Sequence, residues 1–381
     1  MHLAVLRESG EGEKRVSLVP ETVKKLAGTG FKITIEAGAG AGSYFTDDAY
    51  RAAGAEVLDD PAAVLAPADL LVKVGPPAAG SPRDEIAMLG SGQMLLCSLM
   101  PTRNPRAVAA LCTRGVTAFS SDAIPRTTRA QAMDTLSSMA NIAGYKGALI
   151  AASLLPRYCP MLMTAAGTIF PSKIFVIGAG VAGLQAIATA KRMGAQIFAT
   201  DVRPEVKEQI ESVGARYVGI ELKKSASAGG GYAGELSEED KARQRTLLAE
   251  QCAVSDAVIT TALIGGVIAP KLISSATVEG MKQGAVIVDL AAEGGGNCEL
   301  SVPGQTVTHR GVTIAAPLNL ASTMPLDAST LWSRNMYSFL STFAPGGVFK
   351  LDLADDILKG ATITHGGEIL HAKAREAVAA L

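Results

Sequence analysis

The sequence predicts an α/β protein of two domains, each a parallel sheet flanked by helices, with the second domain inserted into the first. Three observations predict this. The 381 residues exceed what a single hydrophobic core ordinarily serves. Short apolar runs alternate with helical segments in a composition 48% hydrophobic but only 4% aromatic, which suits Ala-, Val- and Ile-rich strands and helices rather than a β-sandwich. Finally, an apolar strand from Lys173 enters Gly178-Ala-Gly180-Val181-Ala182-Gly183 and a helical run, and a second strand, Gln196-Ile-Phe-Ala-Thr, ends on Asp201. Strand, glycine turn, helix, strand and acid in that order make a Rossmann-type dinucleotide fingerprint.

Along the chain, Leu3 to Leu6 reads as a strand and Pro20 to Leu26 as a helix, with proline in its first turn and Glu21 near its positive end. Lys32 to Glu36 is a strand and Asp47 to Ala53 a helix. Between them, Gly38-Ala-Gly40-Ala-Gly42 runs into Ser43 with no helix following at once, so it reads as a structural turn and not a second nucleotide loop. Ala68 to Val74 and Gln93 to Cys97 are buried-strand candidates closed by Gly75-Pro76-Pro77 and Pro101. From Ile124-Pro125-Arg126 the pattern turns polar, predicting a loop through Asp134 and then a helix from Leu136 to Ala151. These signals set the first domain at 1–125 plus 330–381 and the second at 126–329.

In the second domain, strands are expected at Arg216 to Gly219, Ala257 to Thr261 and Ala285 to Asp289, with Val312 to Ala315 completing the parallel sheet. Leu331 to Phe343 reads as a helix returning to the first domain. The stretch 223–239, with Gly230 and Tyr232, is too polar for core and too long for an ordinary connection. It reads as a mobile lid, with a disordered insertion as the alternative.

In the fingerprint, Gly178 permits the tight turn out of the strand, Gly180 lets backbone approach a pyrophosphate, and Gly183 lets the helix pack close to the sheet. The helix N-terminus presents N–H groups and a partial positive charge to phosphate. Asp201 is placed to accept hydrogen bonds from the adenosine ribose and would repel a 2′-phosphate, so NAD(H) is favoured over NADP(H). Arg203, two residues on, is the group that could serve a 2′-phosphate instead.

Other chemistries find little support. A net charge of −1 with scattered Lys and Arg gives no footing for nucleic acid or anionic lipid. Cys97, Cys112, Cys159, Cys252 and Cys298 are widely spaced and read as reduced structural thiols. His2, His309, His365 and His371 lie outside any metal or triad spacing, so no metal is expected. The N-terminus lacks the pattern of a signal peptide, and the apolar run Gly147 to Leu155 stops at Pro156, well short of the roughly 18 residues a bilayer requires.

Thr164-Ala-Ala-Gly-Thr168, the Gly178–Arg192 run, Ala199-Thr-Asp-Val202-Arg203, Gly230-Gly-Tyr-Ala233, Thr260-Thr261-Ala262-Leu263 and Val286 through Glu293 to Asn297 together resemble the NAD(H)-binding component of proton-translocating NAD(P) transhydrogenase. The resemblance covers nearly the whole chain. It implies a cleft between the two domains that holds the nicotinamide, and a homodimer docked on NADP(H)-binding and membrane-spanning partners. It also implies a cytoplasmic location at the inner face of the bacterial inner membrane, with membrane association only through those partners. By the same resemblance, Arg126, Asp134 and Ser137 hold the nicotinamide carboxamide, and Gln131 reaches the nicotinamide ribose of the incoming NADP(H). NAD(H) contacts are carried onto Gly178, Gly180, Val181, Ala182, Gly183, Asp201, Val202, Arg203, Thr261, Ala262, Leu263 and Glu293, with Gly230 and Tyr232 in a loop that closes over the nucleotide. Direct hydride transfer between two nicotinamides moves no substrate proton, so it needs orienting groups and no titrating acid or base.

Alanine dehydrogenase shares the opening pattern Lys14-Arg15-Val16 to Pro20 and a lysine at Lys73. That reaction also needs a histidine after the Met94–Cys97 strand and an aspartate in the later acidic loop, where this chain has Ser98 and Glu293. A diverged, non-catalytic NAD-binding protein is a further alternative. It is motivated by two departures from the transhydrogenase pattern, Gly265-Gly-Val-Ile268 for the usual Pro-Gly-Lys-Pro, and Ala321-Ser-Thr323 where Pro-Ser-Arg is usual.

Overall fold

The computed structural model describes residues 1–80, 83–219, 237–263 and 269–381. Two compact units are formed, Met1–Met139 with Ala321–Leu381, and Ala140–Leu320.

The first unit begins with β1 (His2–Val5), α1 (Pro20–Ala27), β2 (Lys32–Glu36), α2 (Asp47–Ala52), β3 (Glu56–Leu58), α3 (Pro61–Leu65), β4 (Leu70–Val72), α4 (Glu85–Met88), β5 (Met94–Cys97), α5 (Pro105–Thr113) and β6 (Thr117–Ser120). These six strands lie parallel in the order 6-5-4-1-2-3, the doubly wound arrangement. A long helix, α6 (Thr135–Leu154), then leads into the second unit, the unit boundary falling within it.

The second unit opens with a hairpin of β7 (Leu162–Thr164) and β8 (Gly167–Ile169). It continues through β9 (Lys173–Ile177), α7 (Val181–Arg192), β10 (Gln196–Thr200), α8 (Lys207–Ser212), β11 (Arg216–Tyr217), α9 (Glu238–Val254), β12 (Ala257–Thr260), α10 (Ser275–Glu279), β13 (Val286–Asp289), β14 (Thr306–His309) and β15 (Val312–Ala315). Its sheet runs β11-β10-β9-β12-β13-β15-β14. With β14 set aside, this is again the doubly wound order, reversing between β9 and β12.

The chain then returns to the first unit with α11 (Pro325–Phe343), α12 (Asp356–Ala361), β16 (Thr362–His365), β17 (Glu368–Ile369) and α13 (Ala372–Ala379), extending that sheet beyond β6 by two antiparallel strands. The helix α11 supplies much of the first core, packing Trp332, Met336 and Phe339 among Leu3, Val5, Leu96 and Phe119. Its serines also satisfy backbone that no strand can reach. Ser329 Oγ accepts the N–H of Val16, and Ser333 Oγ accepts that of Val19, each at 3.0 Å.

Val312–Ala315 is the last parallel strand of the second sheet, as expected, and β14 adds an antiparallel edge beyond it from the half-exposed, polar Thr306-Val-Thr-His309. Two expectations need correction. The segment 126–139 belongs to the first unit, not the second: Ala130 and Met133 are buried in the first core and Asn335 Nδ2 donates to Ala132 O at 2.8 Å. The described end of the expected lid is regular, since Ser237 Oγ caps α9 by accepting the Asp240 N–H. The rest of that stretch, with Gly230 and Tyr232, and the departure at 265–268 lie outside the described residues.

Candidate nucleotide site and the polar cluster at Arg126

The fingerprint sits where the second sheet reverses order, at the carboxyl ends of β9 and β12, the position at which open α/β sheets bind ligands. Each glycine is required for a different reason. Gly178 has φ +91°, and a Cβ on it would lie 2.7 Å from Thr261 Oγ1. A Cβ on Gly183 would come to 1.9 Å from Gly178 O, so α7 could not approach the strand end. Gly180 differs: a Cβ there would meet no atom of the described residues within 4 Å. Those residues leave open space beside it, at an α7 N-terminus with no side-chain cap, where Val181 and Ala182 are half-buried. That open, electropositive cradle fits a dinucleotide pyrophosphate.

The strand ends are tied to one another. Thr261 Oγ1 donates to Gly178 O at 3.0 Å, and Gly178 N–H donates to Thr200 O. Ala262 is clamped on both backbone groups by one side chain, because Asn297 Oδ1 accepts its N–H at 3.0 Å and Asn297 Nδ2 donates to its carbonyl at 2.8 Å. Leu263 follows it at the edge of the described segment. Asn297 is itself positioned by the loop after β13, where buried Asp289 accepts from Thr260 Oγ1, the Ala291 and Cys298 N–H groups and Ser301 Oγ. Neither Asn297 nor Asp289 stood out as a site residue in the sequence. The only signal was the run Val286 to Asn297, in which Glu293 alone reads as a nucleotide contact, while Asp289 and Asn297 hold the backbone of the loop. Glu293 lies in the same loop but is exposed, and its Oε1 accepts the N–H of Asn319, a residue at φ +44°.

Asp201 ends β10 as expected. Its Oδ1 accepts the Arg203 N–H and Arg203 Nε, each at 2.9 Å, and its Oδ2 accepts the Ala179 N–H at 2.8 Å and an Arg203 terminal nitrogen at 2.9 Å. Val202 bridges the two residues and is half-buried. Tyr217 on β11 donates its phenol to Asp201 O at 3.3 Å.

In the first unit, Arg126, Asp134 and Ser137 form one polar cluster. Arg126 Nε pairs with Asp134 Oδ2 at 3.2 Å, an Arg126 terminal nitrogen donates to Ser137 Oγ at 2.8 Å, and Ser137 donates both its N–H and its hydroxyl to Asp134. Gln131 lies on the intervening 3-10 turn, Thr128–Met133, and is exposed. The turn is held by its buried Ala130 and Met133 and by Arg129, which forks onto Asp355 at 2.7 Å through both terminal nitrogens and also bonds Asp356.

The reversal point of the first sheet, between β1 and β4, is filled. Glu8 accepts the N–H groups of Val74 and Gly75, and the Lys73 ammonium, wholly buried, lies 3.4 Å from Glu8 and 3.1 Å from Glu85. Burial alone would push the Lys73 ammonium down, but the two carboxylates outweigh it and hold its pKa above the ordinary value. At the end of β5, Ser98 Oγ donates to Asp122 Oδ1 at 3.0 Å. No group of three or more metal-ligating side chains is assembled among the described residues, and no described helix is long and apolar enough to cross a membrane.

Comparison with known proteins follows this architecture. The family model for the N-terminal domain of alanine dehydrogenase/PNT matches residues 4–143, and that for the C-terminal domain matches 147–372. The chain is 44% identical to an alpha-subunit polypeptide of the NAD(P) transhydrogenase of Rhodospirillum rubrum, over 97% of this chain and 98% of that protein. An alanine dehydrogenase of Mycolicibacterium smegmatis is 30% identical over 97% of this chain and 95% of its own length. Among solved structures, a transhydrogenase from Sinorhizobium meliloti superposes with a TM-score of 0.87 at 42% identity, covering 97% of this chain and all of that one.

Proposed function

The chain belongs to the alanine dehydrogenase/PNT family, whose cofactor is NAD(H), and within it we propose that this protein is the NAD(H)-binding component of a transhydrogenase, exchanging hydride with NADP(H) carried by a partner chain. What carries the reading is the Arg126–Asp134–Ser137 cluster with Gln131 exposed beside it. It is a set of fixed donors and acceptors rather than a titrating base, as a proton-neutral transfer asks.

Bound NAD(H) supplies a nicotinamide that gives or accepts a hydride. The chain's own work is placement. The α7 N-terminus and the space beside Gly180 receive the pyrophosphate, and Asp201 receives the adenosine ribose. The Arg126 cluster orients the nicotinamide carboxamide, and Gln131 reaches toward the second nucleotide. The assembly is a homodimer attached to the membrane only through its partners. In support of a self-interface, the β7–β8 hairpin leaves Met163 and Phe170 more than two-thirds exposed, and an isolated two-stranded hairpin is marginal in water without cover.

Amino-acid oxidation is disfavoured because Ser98 stands where that chemistry needs a proton-shuttling histidine. The deciding assay mixes the chain with a transhydrogenase NADP(H)-binding component and follows hydride exchange between NADH and an oxidised NAD analogue in the presence of NADP(H). Exchange is expected, and Gln131→Asn should slow it at least tenfold while leaving NADH affinity within twofold. Alanine-dependent NAD⁺ reduction by the chain alone, or NADH binding without exchange, would overturn the proposal.

A further inference from the structure

We propose that Arg203 is a specificity-determining residue that occupies the seat of the adenosine ribose on Asp201 and must be displaced by the ribose diol when NAD(H) binds. The inference rests on the reading that Asp201 receives that ribose.

A carboxylate offers about four lone-pair sites. On Asp201 four N–H donors fill them, two on each oxygen: the Ala179 and Arg203 backbone groups and two nitrogens of the Arg203 guanidinium. The two side chains are 6% and 11% exposed, so water competes little for the pair. A 2′- and a 3′-hydroxyl each need an acceptor, and none is left. The two backbone donors belong to the β9–α7 turn and to the chain following β10, and cannot withdraw without unfolding those segments. The guanidinium is the movable part, and its two positions on the carboxylate match in number the two hydroxyls of the diol.

Binding is therefore an exchange of one partner of Asp201 for another. The affinity for NAD(H) is set below what the carboxylate alone would give, because a charge-assisted, bidentate pair has to be broken first. Removing the guanidinium leaves a mostly buried carboxylate under-satisfied in the free protein, and the diol then repairs that deficit on binding. Arg203 would thus weaken the cofactor it stands beside, the opposite of its expected part as a direct contact.

Binding of NADH and of 2′-deoxy-NAD⁺ would be titrated calorimetrically into the free full-length chain and into Arg203→Gln, Arg203→Lys, Asp201→Asn and the Asp201→Asn/Arg203→Gln double variant, each checked by circular dichroism to be fully folded at the titration temperature. We expect Arg203→Gln to bind NADH about five- to tenfold more tightly, and Arg203→Lys, which keeps the charge but not the fork, to fall between. The gain should shrink for 2′-deoxy-NAD⁺ and vanish when Asp201 is also changed. If Asp201→Asn weakens NADH but Arg203→Gln leaves it unchanged or weaker, the exchange is wrong while the ribose assignment stands. If Asp201→Asn has no effect on NADH, the ribose assignment itself has failed, and the exchange with it.

Discussion

Gly180 and Gly183 stand one helical turn apart, and the structure constrains them in opposite ways. A methyl group on Gly183 collides with the carbonyl of Gly178, whereas one on Gly180 meets no atom of the described residues within 4 Å. Gly183→Ala should therefore cost stability, about 1–3 kcal/mol from forced backbone movement, and lose NADH binding as a consequence. Gly180→Ala should melt with the parent yet bind NADH at least tenfold more weakly, because only a pyrophosphate uses that space. Paired melts and NADH titrations separate the two, and an unimpaired Gly180→Ala would remove the pyrophosphate from this turn. At this scale the tight turn at Gly178 and Gly183 and the place of Asp201 after β10 were legible because a strand, a close turn and a packed helix impose that spacing. Asn297 and the Arg203–Asp201 fork were not. Their roles depend on which backbone group or side chain a polar residue meets after folding, and a motif carries no such information.

Among the elements, the readable ones were those with continuous apolar runs and firm punctuation: β2, β9, β10, β12 and β13 fall within a residue of expectation. The edge strands β3, β14 and β17, with β16 beside the last, were missed because they are short and partly polar, and they take their conformation from a neighbour. Helix α9 was missed for a related reason, burying only Leu248 and Cys252 along Glu238–Val254 and so showing no apolar stripe. The turn before β12 shows how such pieces are joined. Asp256 accepts the Lys173 N–H at 2.7 Å, Lys282 Nζ at 2.9 Å and an Arg157 nitrogen at 3.1 Å, drawing together the starts of β9, β12 and β13. Burial would raise its pKa, but these donors outweigh burial and hold it below the ordinary aspartate value. A carboxyl whose pKa is lowered by folding adds stability that is complete above its unfolded pKa, about 3.9, and disappears as pH falls through the lower folded value. Asp256→Asn should then cost on the order of 1–2 kcal/mol at pH 7, discounted because both cations are more than a third exposed. The difference should narrow in denaturant melts taken below about pH 4. A penalty that does not change between pH 7 and pH 3 would show that packing, not charge, is what Asp256 contributes.

Over the whole molecule, one strand order appears twice, and with it two reversal points at which a nucleotide could in principle bind. Only the second carries the Gly178–Gly183 turn; in the first, α1 also lacks a side-chain cap and β2 also ends on an acid, but that acid, Glu36, is taken by Arg7 and Arg83. In the first, the same location is filled from within by Glu8, whose carboxylate takes the Val74 and Gly75 N–H groups, and by the Lys73 ammonium lodged between Glu8 and Glu85. Arg83 and Arg7 extend the cluster through Glu36, so the buried charges of the described residues there are matched among themselves rather than held ready for an anion. Duplicated architecture therefore carries a single cofactor, and calorimetric titration should return one NADH per chain. Lys73→Met provides the complementary test. It takes from buried Glu8 its lysine partner, while Glu85 keeps Arg83 at 2.8 Å, and should cost about 3–5 kcal/mol in the first unit, seen as an earlier calorimetric transition, since two units need not melt as one. NADH affinity, which the proposed site assigns to the other unit, should stay within twofold of the parent at temperatures where both units are folded. Two NADH sites per chain, or a Lys73→Met variant as stable as the parent, would mean that the first reversal point is an open site after all.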